Sequence, residues 1–327
     1  VIILGIESSC DETSLAVYDS VKHEILATFT SSQAELHSKF GGVVPEVASR
    51  NHILKLESLF EQCMEKAGIT PNDLDAIGVT NAPGLIGALF VGVSFAKALG
   101  YALNIPVVPV NHLSAHILAA ELQHQGLKAP YMALIISGGH THIYDIDGAY
   151  NFELLARTID DAAGESFDKV AKMLGLGYPG GPMIEKLAET GDENKIKLPI
   201  AIKNRPDFSF SGLKTAVLNQ INDGVESHAD IAASFQKTVA DTLTLKVLRI
   251  AKELGRQKIV VAGGVACNGY IRRAFQAKKG FEVFFPSPRL CTDNGDMIAY
   301  TAFKFFGQRK FASLDETAHD RMQHINK

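Results

Sequence analysis

Only four cysteines are spread through the 327 residues, and no two of them form a CxxC pair. Cys10, Cys63, Cys267 and Cys291 thus argue against a zinc ribbon or a disulfide framework and point to a reducing, cytoplasmic setting. Positive charge is not in excess either. A formal net charge of −4 rules out a generally basic nucleic-acid coat, so any RNA contact needs a local patch or a partner protein. Long apolar runs are missing as well. "LIGALFVGVSFAKALGYAL" comes closest to membrane-spanning length, but Lys97 and its glycines suit a buried helix, and no membrane association is expected. The first apolar stretch, Val1 to Ile6, is too short for a signal peptide and leads straight into "ESSCDET".

Two nucleotide-binding signatures are absent. No GxxxxGK(S/T) stretch occurs, and no GxGxxG follows the first strand, which disfavours a P-loop ATPase and a Rossmann dehydrogenase. A zincin protease needs HExxH, in which the residue after the first histidine is the general base. The position after His112 is Leu113, so that apparatus is missing.

What the chain does have is an ordinary globular balance, 46% hydrophobic and 21% charged residues, in a length that suggests two lobes. "VIILGIESSCDETSLAVYDS" reads as strand, polar turn, strand, and "MALIISGGHTHIYDIDG" repeats the pattern near residue 132. The repetition predicts an internal duplication. Between the two hairpins, "AIGVTNAPGLIGALFVGVSFAKALGYALNIPVVPVNH" reads as an α/β crossover unit. "DIAASFQKTVADTLTLKVLRIAKELG" reads as a long amphipathic helix that Gly255 stops, and "KIVVAGGVACNGYIRRAF" as strand, glycine turn, helix. The polar stretch near 190–215 reads as an inserted loop. The expected division is 1–110, with a helix over 300–327 packing back on it, and 111–299. No Ser/Pro-rich linker separates the halves, so a cleft between touching lobes is expected.

Three groups of residues can carry chemistry. The turns "ESSCDET", "SGGHT" and "AGGVACN" each follow an apolar strand and free backbone N–H groups for an anion, and three together favour a nucleotide-phosphate site. Glu7, Asp11 and Glu12 crowd the first turn. Asp161, Glu165 and Asp168 recur at helical spacing ahead of the rigid "YPGGP" turn, a pattern that suits ribose hydroxyls or a Mg²⁺ accompanying the nucleotide, and equally a solvated helix face. His112 and His116, four apart at a helix start, fall on one face, as a metal site needs. Asp293 in "PRLCTDNGDMIAY" is the first candidate for a third ligand, and Asp296 is its rival.

The motifs "GIESSCDETS", "GGVVPEVASRNH", "APGLIGALFVG", "NHLSAH", "SGGHT", "IDDAAGESFDKVAKMLGLGYPGGP", "DFSFSGLKTAV", "AGGVACN" and "CTDNGDMIAY", in this order from Val1 to about residue 305, resemble the TsaD (Gcp/OSGEP) family of tRNA N6-adenosine threonylcarbamoyltransferases. The resemblance implies an α/β fold of two duplicated actin/hexokinase/Hsp70-like (ASKHA) lobes with a nucleotide cleft. It implies transfer of a threonylcarbamoyl group from threonylcarbamoyl-adenylate to N6 of adenosine 37 in tRNAs reading ANN codons (t6A formation), with release of AMP.

The resemblance also assigns residues. His112, His116 and Asp293 match ligands of one divalent metal, Fe²⁺ or Zn²⁺. Ile135, Ile136, Ser137, Gly138 and Gly139 match the substrate-binding strand and turn. Asp168 and Gly181 match ribose contacts, Glu185 a further contact and Asn268 the adenine side. Asp11 and Glu12 match acids near the reacting end. Ser8 stands where threonine is frequent, and Asn111 where a third histidine often sits. The implied partners are tRNA, a TsaC-like synthase that makes the adenylate, a TsaB-like paralogue and a TsaE-like ATPase. Three rival readings are a metallopeptidase, which Leu113 opposes, a sugar-kinase-like ATPase, in which the histidines have no role, and a non-catalytic scaffold, which the intact ligand and turn set opposes.

Overall fold

The computed structural model describes residues 1–40, 42–224, 226–313 and 315–321. The chain divides into two compact units, Val1–Gln123 with Thr292–Lys327, and His124–Cys291. The first unit contains β1 (Ile2–Glu7), β2 (Glu12–Asp19), β3 (Glu24–Ser32), α1 (Ala34–Ser38), α2 (Pro45–Ala67), β4 (Ala76–Ala82), α3 (Ile86–Leu103), β5 (Val107–Asn111) and α4 (His112–Gln123). The second contains β6 (Tyr131–Ile136), β7 (Thr141–Ile146), β8 (Phe152–Arg157), α5 (Ala163–Met173), α6 (Gly180–Ala188), α7 (Ser211–Asp223), α8 (His228–Glu253), β9 (Lys258–Ala262), α9 (Gly269–Gln276), β10 (Glu282–Phe284) and α10 (Pro288–Cys291). The chain then returns to the first unit through α11 (Gly295–Phe306).

The duplication read from the two hairpins is complete at the level of topology. The sheets run β3-β2-β1-β4-β5 and β8-β7-β6-β9-β10. In each, the first three strands form an antiparallel meander and the last two join in parallel. The central strand β6 is apolar throughout, and β1 is apolar as far as Glu7, because both faces of a mixed sheet are covered. Leu4 and Ile6 face the core shared with α2 and α3. Gly5, on the opposite face by the two-residue period of a strand, lies so close to α11 that a side-chain carbon there would overlap the backbone of Ala299. In the second unit Met132, Leu134 and Ile136 enter the core built with α5 and α8.

The unit boundary departs from the sequence expectation. It falls after Gln123 rather than residue 110, because β5 pairs in parallel with β4 and runs into α4 without a loop. The chain returns at Thr292 rather than near 300, since α11 packs on β1, β2 and β4. That helix ends at Phe306, and the described residues beyond it contain no helix; residues 322–327 of the expected terminal helix lie outside the described residues.

The stretch near 190–215 is irregular until α7 begins. It is held by Lys246 of α8, a fully buried lysine whose amine donates to the carbonyls of Ile202 (2.9 Å) and Arg205 (2.8 Å). Among the described residues, α3 alone is long and apolar enough to cross a membrane, and one face of it packs against α2 and β4.

Candidate metal centre

The histidine pair is positioned by a strand-to-helix junction. Asn111, the last residue of β5, accepts the N–H groups of Leu113 (2.9 Å) and Ser114 (3.2 Å) on its side-chain oxygen and so caps α4. Asn111 is therefore a capping residue rather than a ligand. His112 and His116 follow on one helix face, with rings edge to face and centroids 4.6 Å apart.

Asp293 comes from the other end of the unit's chain. Asn294 caps α11 by accepting the N–H of Met297, and the N–H of Gly295 donates to Ser14 of β2. These bonds fix the residue just before the helix. Asp293 Oδ1 then lies 3.1 Å from His116 Nε2 and 3.4 Å from His112 Nε2. Asp296, the rival, is buried inside α11 and is not among the convergent ligand atoms.

The donor set fits a divalent cation. Tetrahedral bonds of about 2.0–2.1 Å place neighbouring ligand atoms about 3.3 Å apart. Two imidazole nitrogens and a carboxylate oxygen already stand near that spacing, within 4.8 Å of one another. Such a set suits iron or zinc and leaves a coordination position for a further oxygen.

Behind His112 lies a residue whose role the sequence did not disclose. Glu7, at the end of β1, is completely buried. Its carboxylate takes the Nδ1–H of His112 at 3.1 Å, the Thr80 hydroxyl at 2.6 Å and the Ser9 N–H at 2.6 Å. This is the carboxylate–histidine arrangement that fixes a ligand's tautomer and leaves Nε2 to face the metal. The only sequence signal was a glutamate at the inner end of an otherwise apolar strand. Burial lowers the pKa of His112, but Asp293 and then Glu7 outweigh it and hold His112 well above the ordinary value. Burial raises Asp293, and His112 and then His116 bring it below the carboxylate range. Without a cation, a proton on His112 supplies the compensating charge.

The first turn is braced by His52 of α2, a second residue not singled out from sequence. It is fully buried, and burial lowers its pKa, so the ring is neutral. Nε2–H donates to the Cys10 carbonyl at 3.0 Å, and Nδ1 accepts the Thr13 hydroxyl at 2.7 Å. Asp11 and Glu12 lie between these anchors. Burial, Asp293 and then Asp11 push Glu12 up to about 9, so it carries a proton at neutral pH. A cation at Asp293 would relieve part of that push. Replacing His52 by alanine is expected to cost about 1–3 kcal/mol in urea denaturation, because a buried carbonyl loses its donor. Unchanged stability would show that the brace is dispensable.

In the second unit, Ile135 and Ile136 are buried in β6, and Ser137 to Gly139 form the turn into β7. The Ser137 hydroxyl accepts the N–H of His140 at 3.1 Å, while Gly138 and Gly139 have open space where side chains would stand. A ligand can therefore approach the turn's backbone. Gly263, which opens the "AGGVACN" turn, has φ +93° and touches the backbone of Ile136, a position only glycine fills easily.

The acids divide. Asp160 caps α7 through the N–H of Phe210 and the hydroxyls of Ser209 and Ser211. Asp161 pairs with Lys169 and Lys214, and Glu165 with Lys169. The three-carboxylate face is thus mostly a salt-bridged one, and Asp161 precedes α5 rather than lying on it. Asp168 instead accepts the N–H of Gly180 at 2.7 Å and sits against the "YPGGP" turn beside Gly181, whose side-chain position is open. Glu185 accepts the N–H of Gly269 at 2.7 Å. Asn268 is a buried helix cap: its oxygen takes the Ile271 N–H and its amide donates to Gln236. These bonds occupy the polar atoms expected to meet adenine.

The family model described as TsaD: tRNA N6-adenosine threonylcarbamoyltransferase matches residues 24–300. The chain belongs to this family. A curated family member from Fusobacterium nucleatum subsp. nucleatum is 50% identical, the match covering 96% of this chain and 95% of the relative. One from Clostridium novyi (strain NT) is 48% identical, covering 97% and 96%. Both carry the name tRNA N6-adenosine threonylcarbamoyltransferase, and the chain is accordingly a transferase of tRNA modification. Among solved structures, HypF from T. kodakarensis matches at TM-score 0.66 and 16% identity over 94% of this chain and 48% of that one. Component A of (R)-2-hydroxyglutaryl-CoA dehydratase from Acidaminococcus fermentans matches at 0.59 and 17%, covering 94% and 99%. At such identities these two speak to fold alone, and they agree with duplicated actin/hexokinase-like lobes.

Proposed function

We propose that the chain transfers the threonylcarbamoyl group of threonylcarbamoyl-adenylate to N6 of adenosine 37 in tRNAs that read ANN codons, releasing AMP, with one Fe²⁺ or Zn²⁺ held by His112, His116 and Asp293. The observation that carries the reading is the convergence of those three ligand atoms with a buried carboxylate behind His112, in a chain about half identical to named transferases of this kind.

The chemistry asks for positioning more than for a strong nucleophile. N6 of adenine is a poor nucleophile because its lone pair is delocalised, while the acyl carbon of the adenylate is already activated by its AMP leaving group. When bound, the cation supplies Lewis-acid polarisation and a template for acyl oxygens. Glu7 keeps His112 in the tautomer that offers Nε2. The open backbone at Gly138 and Gly139 receives phosphate or carboxylate oxygens. Asp168 and Gly181 take the ribose, with Glu185 supporting Gly269, and Asn268 turns to adenine by exchanging its present bonds. A Mg²⁺ accompanies the nucleotide where its phosphate oxygens need one. Asp11 or Glu12 of the first turn is our candidate to accept the N6 proton.

For partners, we propose a TsaC-like synthase as the source of adenylate, and a TsaB-like paralogue and a TsaE-like ATPase acting with this chain in the cytoplasm. The apolar groove of about 750 Å³ between α2 and α3, lined by Ile53, Leu56, Phe60, Phe90, Phe95 and Leu99, is our candidate for the paralogue contact.

The test is a reconstituted assay with labelled threonine, bicarbonate, ATP, tRNA and the partner proteins, with and without a chelator. Label on adenosine is expected, and its loss on chelation with recovery on adding metal. Absence of label in the full set sinks the reading.

A further inference from the structure

The chain as a whole is negatively charged, yet one groove of the second unit is strongly basic. The groove, of about 580 Å³, lies between the inserted stretch near 190–215, α8 and the turn that follows α9. Lys203 comes from the insert, Arg249 and Lys252 from α8, and Lys278 from the turn. The one carboxylate in its lining, Asp241, is paired with Lys237 one helical turn away at 2.5 Å.

The four cations divide by what they already hold. Arg249 is engaged: Nη1 donates to the Lys203 carbonyl at 3.2 Å, Nη2 donates to the Arg205 carbonyl at 2.8 Å, and Nε stands 4.0 Å from Glu253. Together with the buried amine of Lys246, it fixes the backbone that presents Lys203. That side of the groove is therefore ordered before any ligand arrives. Lys203, Lys252 and Lys278 are exposed, and among the described residues no acceptor or carboxylate engages their amines. Unneutralised ammonium groups gathered at one groove repel one another. The apolar wall of Leu245 and Leu248 lowers the local dielectric and strengthens their field. The favourable field at a helix C-terminus accounts for Lys252 alone, since Lys203 and Lys278 stand on turns. An anion from outside is what relieves the repulsion.

We infer that this groove docks the sugar–phosphate backbone of the tRNA through Lys203, Lys252 and Lys278. The identity of the polyanion rests on the transfer reading above; the groove's preference for one rests on its charge. A chain of net charge −4 meets RNA through a local basic patch, and this groove is such a patch. Amines on three separate segments suit a run of phosphates better than a single free anion. Lysine ammonium groups act as point charges on phosphate and carry no base readout, so the contact holds a tRNA without choosing its sequence.

The experiment titrates the full-length chain into two fluorescent tRNA transcripts, one that reads an ANN codon and one that does not, at KCl between about 50 and 200 mM. Lys252→Ala/Lys278→Ala is compared with Lys55→Ala/Lys66→Ala, which removes two exposed lysines of α2 and leaves the same net charge. The groove variant is expected to bind both transcripts more weakly by the same factor. Its slope of log affinity against log salt should be shallower by about 2, one for each lost phosphate contact, while the α2 variant keeps the native slope. Lys203→Ala alone should flatten the slope by about 1 and decides the matter if the double variant does not fold. No binding by the native chain at the lowest salt, an equal loss in the α2 variant, or a groove variant with native affinity and slope overturns the inference. So does displacement of tRNA by millimolar inorganic phosphate at constant ionic strength, which marks a single-anion site. Labelled adenosine in the reconstituted assay beside native binding by the groove variant sinks the docking alone. Groove-dependent binding without labelled product sinks the transfer reading and leaves the groove an RNA surface.

Discussion

His116→Ala is expected to yield a folded protein that has lost its bound metal. The ring is buried in α4, and its Nδ1 has no hydrogen-bond partner among the described residues. Among the described residues, its only polar engagement is Nε2 with Asp293 Oδ1. Alanine suits the helix, and α4 stays anchored by buried Leu113, Ile117 and Leu118. The substitution therefore removes a ligand without stranding a buried donor, and the fold should survive a loss of about 2 kcal/mol from the vacated space. Two remaining ligands make a much weaker site. Transfer should fall by at least about 10³-fold, the worth of several kcal/mol of charge stabilisation. Elemental analysis and circular dichroism on the same sample check this. Full metal content in a folded His116→Ala protein would sink the ligand assignment, whatever the activity.

The histidine pair could be read because its relation is local: four residues on one helix is a spacing. The duplicated hairpins could be read for a similar reason, since Ile2 to Ile6 and Met132 to Ile136 are continuous apolar runs that end in polar turns. Glu7 was different. Its partners His112 and Thr80 lie 105 and 73 residues away, and only the sheet order β2-β1-β4-β5 brings them to one strand end. Spacing carries no record of such a neighbour. His52 is the same case, reaching Cys10 and Thr13 from a helix that packs on β2.

The acids near 160 take the other of the two readings that their spacing left open, a salt-bridged helix face. Their helical spacing is real in sequence, but Lys169 and Lys214 neutralise Asp161 and Glu165, and Asp160 serves as a cap. Asp168 alone keeps a link to the glycine turn. The unit boundary was misplaced because β5 and α4 join without a loop, so composition gave no sign that the helix stays with the first sheet.

Glu7→Gln should separate the carboxylate's role from that of the ligands themselves. The glutamate accepts three donors: the Ser9 N–H, the Thr80 hydroxyl and His112 Nδ1–H. Glutamine offers one oxygen and one NH₂ in nearly the same shape. If the oxygen keeps the Ser9 N–H, the NH₂ faces His112. Nδ1 must then accept, the proton moves to Nε2, and the lone pair that a metal needs is gone. If the oxygen turns to His112, the Ser9 N–H is left facing an amide donor. Either way metal affinity should drop by about 10–100-fold, the usual range for loss of such a supporting carboxylate. The pH dependence should change too. In the native chain Asp293 and Glu7 hold His112 protonated, so metal uptake displaces the Nε2 proton, and affinity rises with pH by about tenfold per unit until the metal-free His112 has titrated. Removing the Glu7 charge lowers that pKa, so the pH above which affinity levels off must move down. Competition with a chromophoric chelator between about pH 6 and 8 reads both effects without any transfer assay. A Glu7→Gln protein with native affinity and an unmoved plateau would mean that the carboxylate supports only the strand end and leaves His112 to orient itself.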